Sequence, residues 1–356
     1  MREILAAFCL KGKPVRCERH GNGHINETYF VRTDAPHDYI LQRLNTQVFP
    51  DAEGLMRNVA AVTEHLRRVC GDPRRVLTLV KTAAGESFLR TQSGEVWRMF
   101  EFVSGGMCLD QAGSAEDMRQ CGVAFGAFQR QLAGFPAQTL AEILPRFHDT
   151  PARFGQLRKA IEENRAGRLQ SVRREVEEYL AHEAEADGLT RLHREGALPT
   201  RVTHNDTKLN NILLDAQTRT ALCVVDLDTV MPGLAANDFG DAIRFGANTA
   251  GEDERDLSRV SLSLPYYEAF TRGFLGECGG SLTPLELDTL PLGAKLMTLE
   301  CGARFLADYL NGDVYFRVSR PEHNLDRART QLWLVRDMER KWDDMRRIAR
   351  QAGCGR

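Results

Sequence analysis

The 356-residue sequence has no Cys-x-x-Cys pair, no excess of charge of one sign and no apolar run long enough to span a membrane. Each absence removes a class of function. The nine cysteines, at 9, 17, 70, 108, 121, 223, 278, 301 and 354, are odd in number and lack cysteine or histidine partners at zinc-finger spacing, which fits reduced thiols in a cytoplasmic protein. Formal charge is −2 from 47 basic and 49 acidic side chains, so bulk electrostatics favours neither nucleic acid nor an anionic membrane, and any phosphate site has to be local. The apolar stretch Ile4 to Leu10 is too short for a bilayer, and Lys11-Gly12-Lys13 follows it without a cleavage site. A soluble cytoplasmic protein is the expectation, with no nucleic-acid or membrane partner. There is no internal repeat or low-complexity tract, and 42% hydrophobic content over this length allows two lobes with sizeable cores.

What is present concentrates in His204-Asn205-Asp206-Thr207-Lys208-Leu209-Asn210-Asn211 and, fifteen residues beyond Asn211, in Val224-Val225-Asp226-Leu227-Asp228. An Asp and an Asn five positions apart on one loop, then an Asp ending an apolar run, repeat a phosphotransfer layout. In it one carboxylate orients the acceptor hydroxyl while the amide and the later carboxylate hold magnesium. The residue types suit those tasks: a proton acceptor needs a basic oxygen, magnesium needs hard oxygen ligands, and an amide ligates without adding negative charge beside phosphates. Turn chemistry explains these polar residues singly but not together. Ile212-Leu213-Leu214 and Ala221 to Val225 read as two short strands that deliver Asp226 beside the loop.

The first hundred residues alternate β-branched or aromatic stretches with turns, whereas most of the remainder has helical spacing, which predicts lobes of 1–103 and 104–356. Val15 to Arg19, Thr28 to Thr33, Tyr39 to Arg43, Val76 to Lys81, Ser87 to Arg90 and Val96 to Val103 read as six candidate segments for a five-stranded antiparallel sheet, with a helix over Ala52 to Val69. Ser104-Gly105-Gly106 punctuates the chain as a hinge, and Ser114 caps a helix running to about Leu132. Glu162 to Leu192 reads as one or two exposed helices. Leu325, Ala328, Leu332, Val335, Met338, Trp342, Met345 and Ile348 mark one long amphipathic helix.

With the loop, the Asp226 strand and the glycine-rich hairpin Gly21-Asn22-Gly23-His24-Ile25-Asn26 in hand, the chain resembles the aminoglycoside phosphotransferase and choline kinase family. Within it, His20 to Thr28, Thr203 to Asn211 and Asp226 to Gly233 are most similar to N-acetylhexosamine kinases that phosphorylate the anomeric hydroxyl. The resemblance implies an α+β, bilobal protein-kinase-like fold, with a small antiparallel β-sheet lobe for nucleotide and a larger, mainly helical lobe for catalysis and acceptor. It implies ATP and Mg2+ as cofactors and a small-molecule sugar as partner, with oligomeric state left open. Asp206 becomes the catalytic base, Asn211 and Asp226 the metal ligands, and Asp228 an additional ligand or a support. His204 braces the loop rather than binding metal, since no second histidine lies at ligand spacing. Gly21, Asn22 and Gly23 would bring backbone amides to the ATP phosphates, and the backbone of Glu101 and Val103 would meet adenine. His24, Arg304 and Tyr315, with Phe245 as a stacking surface, are the implied acceptor residues. Asp238 and Asp241 would buttress the loop, and Phe147-His148-Asp149-Thr150-Pro151 is a polar cluster without an assigned part.

One position departs from the family. Where kinases of this fold carry a strand-three Lys or Arg for the nucleotide, this chain has Gln42, and the helix position expected to hold the paired acid is Asn58. Losing both together avoids a stranded buried carboxylate, and a Gln42–Asn58 hydrogen bond is the expectation. The alternatives are a kinase for another alcohol, such as choline, homoserine, a thiosugar or an aminoglycoside, and a nucleotide-binding pseudokinase. A cationic acceptor would call for acidic or aromatic clusters, and Glu252-Asp253-Glu254 reads instead as an exposed loop.

Overall fold

The structure, a computed structural model, describes residues 1–21 and 25–354. The chain forms two compact units, the first from Met1–Cys108, Gln131–Pro145 and Ile212–Pro232, the second from Leu109–Arg130, Arg146–Asn211 and Gly233–Arg356. It is an α+β protein with a small antiparallel sheet and a larger helical region.

The first unit is built on five antiparallel strands: β1 (Pro14–Arg19), β2 (Glu27–Thr33), β3 (Tyr39–Arg43), β4 (Leu89–Arg90) and β5 (Val96–Glu101), in the order β1-β2-β3-β5-β4. Strand alternation sends Val31, Tyr39, Leu41, Trp97 and Met99 into a core shared with Leu5, Phe8 and Val80. On the same ladders Gln42 lies opposite Thr28 of β2 and Arg98 of β5, a register that matters for the site. Helix Ala52–Val69 forms over its expected span, capped by Asp51 accepting from the Gly54 N–H, and buries Leu55, Met56, Val59, Val62 and Leu66. A second sheet joins Gly106–Met107, Ile212–Asp215 and Ala221–Val224, so the two short strands before Asp226 exist as expected.

Val76 to Lys81 is not a strand of the sheet. It touches β5 through a single bridge, Leu79 to Phe100, flanked by Val80 N–H to Met99 O and Glu101 N–H to Thr78 O, each 2.9 Å. The ladder stops there because the next groups turn to the N-terminal segment: Lys81 O accepts from Cys9 N–H at 2.9 Å.

The second unit is helical. Helix Ala115–Gln131 starts where Ser114 Oγ accepts the Asp117 N–H at 3.2 Å. It crosses helix Leu264–Cys278 at backbone contact distance, since a Cβ on Gly122 would lie 2.2 Å from Phe270 O and one on Gly273 2.2 Å from Arg119 O. Gly122→Ala therefore has to push the helices apart. Despite alanine's intrinsic helix advantage of about 1 kcal/mol, overpacking of about 1–3 kcal/mol should lower the urea midpoint, and an unchanged midpoint would refute the close approach.

Helix Pro284–Asn311 runs through the unit, opened by a Thr283–Glu286 capping box and closed at left-handed Gly312 (φ +98°). It packs against helices Ala235–Gly246, Thr150–Glu163 and His323–Arg340. Two expectations change. Glu162 to Leu192 ends one helix and forms three more, Arg173–Ala181, Glu183–Ala186 and Gly188–Arg194, whose sparse apolar residues Val176, Tyr179 and Leu189 are buried. The Tyr179 hydroxyl donates to Ala328 O at 2.7 Å. The C-terminal stripe is buried as expected except at Trp342, which is half-buried, but it lies on two helices, His323–Arg340 and Trp342–Cys354. The break falls at Lys341, whose ammonium reaches Ser261 Oγ, Leu262 O and Asp337 Oδ2 within 2.8 Å. Among the described residues no helix is long and apolar enough to cross a membrane.

Candidate functional site

In the second unit the loop from Thr203 to Asn211 is held from beneath by helix Ala235–Gly246. Asp238 accepts the backbone N–H groups of His204 (2.9 Å) and Asn205 (2.8 Å) and the Gln129 amide (2.9 Å). Thr207 donates its N–H to Asp241 (3.0 Å) and its hydroxyl to Asp238 O (2.5 Å). Asp241 is in turn paired with Arg244 at 3.0 Å, and although burial alone would raise its carboxyl, the charges of Arg244, Lys208 and His148 hold it below the ordinary value. His204 is buried edge-on against Phe125 (5.4 Å) and Phe128 (6.0 Å), and its Nδ1 accepts the Asp206 N–H at 3.3 Å. Its surroundings are those of a brace.

This scaffold fixes Asn205 in the left-handed region (φ +64°), a conformation asparagine tolerates better than most residues. The turn presents Asp206. Its Oδ2 accepts from Asn211 Nδ2 at 2.8 Å, and its Oδ1 pairs with Lys208 Nζ at 2.8 Å. Burial would lower the Lys208 ammonium, but the charges of Asp206 and Asp241 outweigh it and hold it above its usual value. Asn211 spends both amide hydrogens on Asp206, bonding its carbonyl at 2.7 Å as well as its carboxylate, which turns Oδ1 away as an oxygen donor suited to a hard cation.

Arg304 and Tyr315 come together in the same unit, on a pocket of about 390 Å³. The Arg304 guanidinium lies 5.9 Å from the Tyr315 ring, 5.4 Å from Phe316 and 5.9 Å from Phe147. Arg153 lines the pocket too; burial and the charge of Arg304 lower its pKa, and its Nε is buried with no hydrogen-bond partner among the described residues. The two pocket carboxylates are already engaged. Asp308 accepts the N–H groups of Val314, Tyr315 and Phe316 at 3.0, 2.9 and 3.0 Å, and Glu163 pairs with Arg165 at 3.0 Å. Among the described residues, no carboxylate pairs with Arg304 or Arg153. Phe245 is half-buried on helix Ala235–Gly246 and does not line this pocket. Glu252-Asp253-Glu254 is half-buried, not an exposed loop: the three pair with Arg244, Arg320 and Arg259 at 2.7, 2.9 and 2.9 Å.

In the first unit, Asp226 follows the Ala221–Val224 strand in a left-handed conformation (φ +58°). Two residues on, Asp228 is the centre of a buried network. Arg98 Nη2 lies 2.5 Å from Asp228 Oδ1, with side-chain exposures of 1% and 5%, and Asn26 Nδ2 donates to Asp228 Oδ2 at 2.5 Å. Arg98 Nε donates to Gln42 Oε1 at 3.0 Å, and Gln42 Nε2 to Thr28 Oγ1 at 3.0 Å. The expected Gln42–Asn58 bond does not form. Asn58 donates to Ala141 O (2.8 Å) and Val230 O (3.0 Å) and accepts the Ala141 N–H (2.8 Å), while the Gln42 amide is used at both ends. A buried cation does exist beside position 42. It comes from the facing residue of β5.

Gly21 is left-handed (φ +70°) and opens the β1–β2 connection; Asn22, Gly23 and His24 lie outside the described residues. Glu101 ends β5 and donates its N–H to Thr78 O at 2.9 Å; Val103 follows two residues later. A separate cluster, His182, Glu185 and Glu339, has metal-like spacing but already contains a cation, with Lys295 Nζ 2.7 Å from Glu185 and 2.8 Å from Glu339. Arg98, Lys208, Arg153 and His148 carry parts of these networks that sequence reasoning did not assign. Only Lys208 had a signal, its place two residues after Asp206.

Residues 16–270, more than half of the chain, match the phosphotransferase enzyme family APH. Among solved structures, amicoumacin kinase in complex with AMP-PNP, Ca2+ and Ami is similar at TM-score 0.64 and 14% identity, over 96% of this chain and 92% of that one. A microcompartment-associated aminopropanol kinase is similar at TM-score 0.59 and 16% identity, over 97% of both chains. Choline kinase from Cryptosporidium parvum matches at TM-score 0.55 and 12% identity, over 92% and 90%. At these identities the likeness is one of kinase-like fold, while the family rests on the sequence match. The chain belongs to the APH phosphotransferase enzyme family.

Proposed function

We propose that the protein transfers the γ-phosphate of ATP to a sugar hydroxyl, the anomeric one of an N-acetylhexosamine. The reading rests above all on Asp206, a carboxylate held between Asn211 Nδ2 and Lys208 Nζ on a loop fixed from below by Asp238 and Asp241. Asp206 accepts the hydroxyl proton as the acceptor oxygen bonds to phosphorus and the bridging oxygen leaves with the nucleoside diphosphate. Lys208 meets phosphate charge beside it. Asn211 and Asp226 supply the hard oxygens that would hold Mg2+, which when bound neutralises phosphate charge. Gly21, Asn22, Gly23, Gln42, Glu101 and Val103 are assigned to the nucleotide, and His24, Phe245, Arg304 and Tyr315 to the acceptor.

Charge favours a sugar over an amino alcohol. In the pocket Arg304 and Arg153 lack carboxylate partners and both lining carboxylates are engaged, so an ammonium group meets repulsion, whereas hydroxyl and acetamide oxygens meet donors and aromatic walls. The test is Mg2+- and ATP-dependent product formation from N-acetylglucosamine, N-acetylgalactosamine, glucose, galactose, choline, aminopropanol and homoserine, with phosphorus NMR locating the phosphate. Anomeric phosphate from the acetamido sugars supports the reading. Product confined to choline or aminopropanol overturns it. Arg304→Ala should raise the sugar KM by roughly 10–100-fold, the loss of a charge-assisted donor pair, with kcat much less affected.

A further inference from the structure

His148 opens the polar cluster that has no part in the proposed chemistry. Its ring is nearly enclosed, 8% exposed, and both nitrogens are engaged: Nδ1 lies 3.0 Å from Glu300 Oε1, and Nε2 lies 3.0 Å from Asn205 O. Both partners are oxygens. A carbonyl only accepts, so Nε2 carries hydrogen; a carboxylate only accepts, so Nδ1 carries one as well. Glu300 is 1% exposed, and its other oxygen accepts from Thr150 Oγ1 at 3.0 Å, leaving a buried negative charge that needs a cation beside it.

We infer that His148 is a buried imidazolium that ties Glu300 to the backbone carbonyl of Asn205 and so positions the loop presenting Asp206. The inference rests on Asp206 lying in the reacting loop, as proposed above. His148 touches no reacting atom; it is a positioning residue acting through a residue in the left-handed conformation. Asn205 is clamped from two sides, its N–H by Asp238 and its C=O by His148. Between the two clamps the peptide that precedes Asp206 cannot rotate, and the Asp206 carboxylate keeps its direction.

The proton has a second place to sit, on Glu300 facing a neutral ring. The geometry favours the ring, because the second Glu300 oxygen already accepts the Thr150 hydroxyl, as a carboxylate does. The charged neighbours agree. Helix Pro284–Asn311 contributes Glu300, with Arg304 over the adjacent Phe147 ring, and helix Ala235–Gly246 contributes Asp241, itself neutralised by Arg244 and Lys208. Burial pushes the imidazole down, but the Glu300 hydrogen bond, the charges of Glu300 and Asp241 and the Asn205 carbonyl together hold it above the ordinary 6.5.

The sign follows for a raised histidine. The clamp is complete below the unfolded value near 6.5 and is lost as pH rises through the higher folded value. Turnover then falls on a basic limb set by His148.

The test uses nitrogen-15-labelled imidazole in the full chain. Both His148 nitrogens should show protonated shifts at pH 7, with a midpoint above 6.5; Glu300→Gln should lower that midpoint, and His148→Asn should reduce kcat and abolish the basic limb while leaving KM for ATP near the wild-type value. A neutral tautomer at pH 7 overturns the proposal, as does an unaltered basic limb in His148→Asn. If His148→Asn does not fold, the Glu300→Gln titration decides. The NMR measurement needs no substrate, so it stands or falls separately from the acceptor assignment.

Discussion

Asp206→Asn should remain folded, bind ATP and lose turnover by about 10²–10⁴-fold, the usual contribution of a positioned general base. The loop does not depend on the Asp206 side chain for its shape. Its backbone is held by Asp238 through His204 and Asn205 and by Asp241 through Thr207, whereas the Asp206 carboxylate is partly exposed and bonded to Asn211 and Lys208. Asparagine fills the same volume but cannot take a proton, and its amide hydrogens meet the Asn211 amide or the Lys208 ammonium. Stability should therefore change by no more than about 1 kcal/mol, as for an exposed ion pair, and urea denaturation checks that. Asn211→Ala is the informative companion. It removes an oxygen proposed for Mg2+ together with the donor that aims Asp206, so higher Mg2+ should restore part of its activity. Added Mg2+ should do nothing for Asp206→Asn. Near-wild-type turnover in that variant would exclude Asp206 as the base.

The parts of the fold legible in the sequence are those set by local pattern. Helix Ala52–Val69 announced itself by apolar periodicity, and the β1, β2, β3 and β5 segments by alternation between turns. The C-terminal stripe located a buried face correctly, yet periodicity continues across Lys341 and says nothing of an ammonium drawn to Ser261, Leu262 and Asp337. Val76 to Lys81 has strand composition, but its hydrogen bonds divide between β5 and the N-terminal segment, a tertiary competition invisible to propensity. The site divides the same way. Asp206 and Asn211 share one loop and meet as their spacing suggests. The partner of Gln42 lies fifty-six positions away and is set by strand register, and His148 reaches Asn205 across fifty-seven positions. Such pairs have no local signal; a buried Arg and a buried His among ordinary residues look like any others until the ladders and helices are in place.

Arg98→Met should be among the most destabilising single changes in the first unit, costing about 3–5 kcal/mol because it strands a buried carboxylate. At 1% and 5% exposure, Arg98 and Asp228 are shielded from solvent, and without the guanidinium Asp228 keeps, among the described residues, the Asn26 amide as its side-chain partner. Removing the charge from both sides should reverse most of the loss. In Arg98→Met/Asp228→Asn the asparagine still accepts from Asn26 and no net charge is buried, so a double-mutant cycle should report a large coupling energy. The register makes a sharper version possible. Gln42 faces Arg98 across the β3–β5 ladder and touches its Nε, so Gln42→Lys in the Arg98→Met background moves the cation back to strand three, where kinases of this fold usually carry it. That pair should recover stability relative to Arg98→Met, whereas Gln42→Lys alone sets a second cation against Arg98 and should destabilise. ATP KM adds a functional arm: if the buried cation serves the nucleotide phosphates, the relocated lysine should recover KM as well as fold, and the neutral double variant should recover fold alone. A neutral double variant as unstable as Arg98→Met would mean that Arg98 acts through its packing on Phe100, 5.2 Å from the guanidinium, and not through the charge of Asp228.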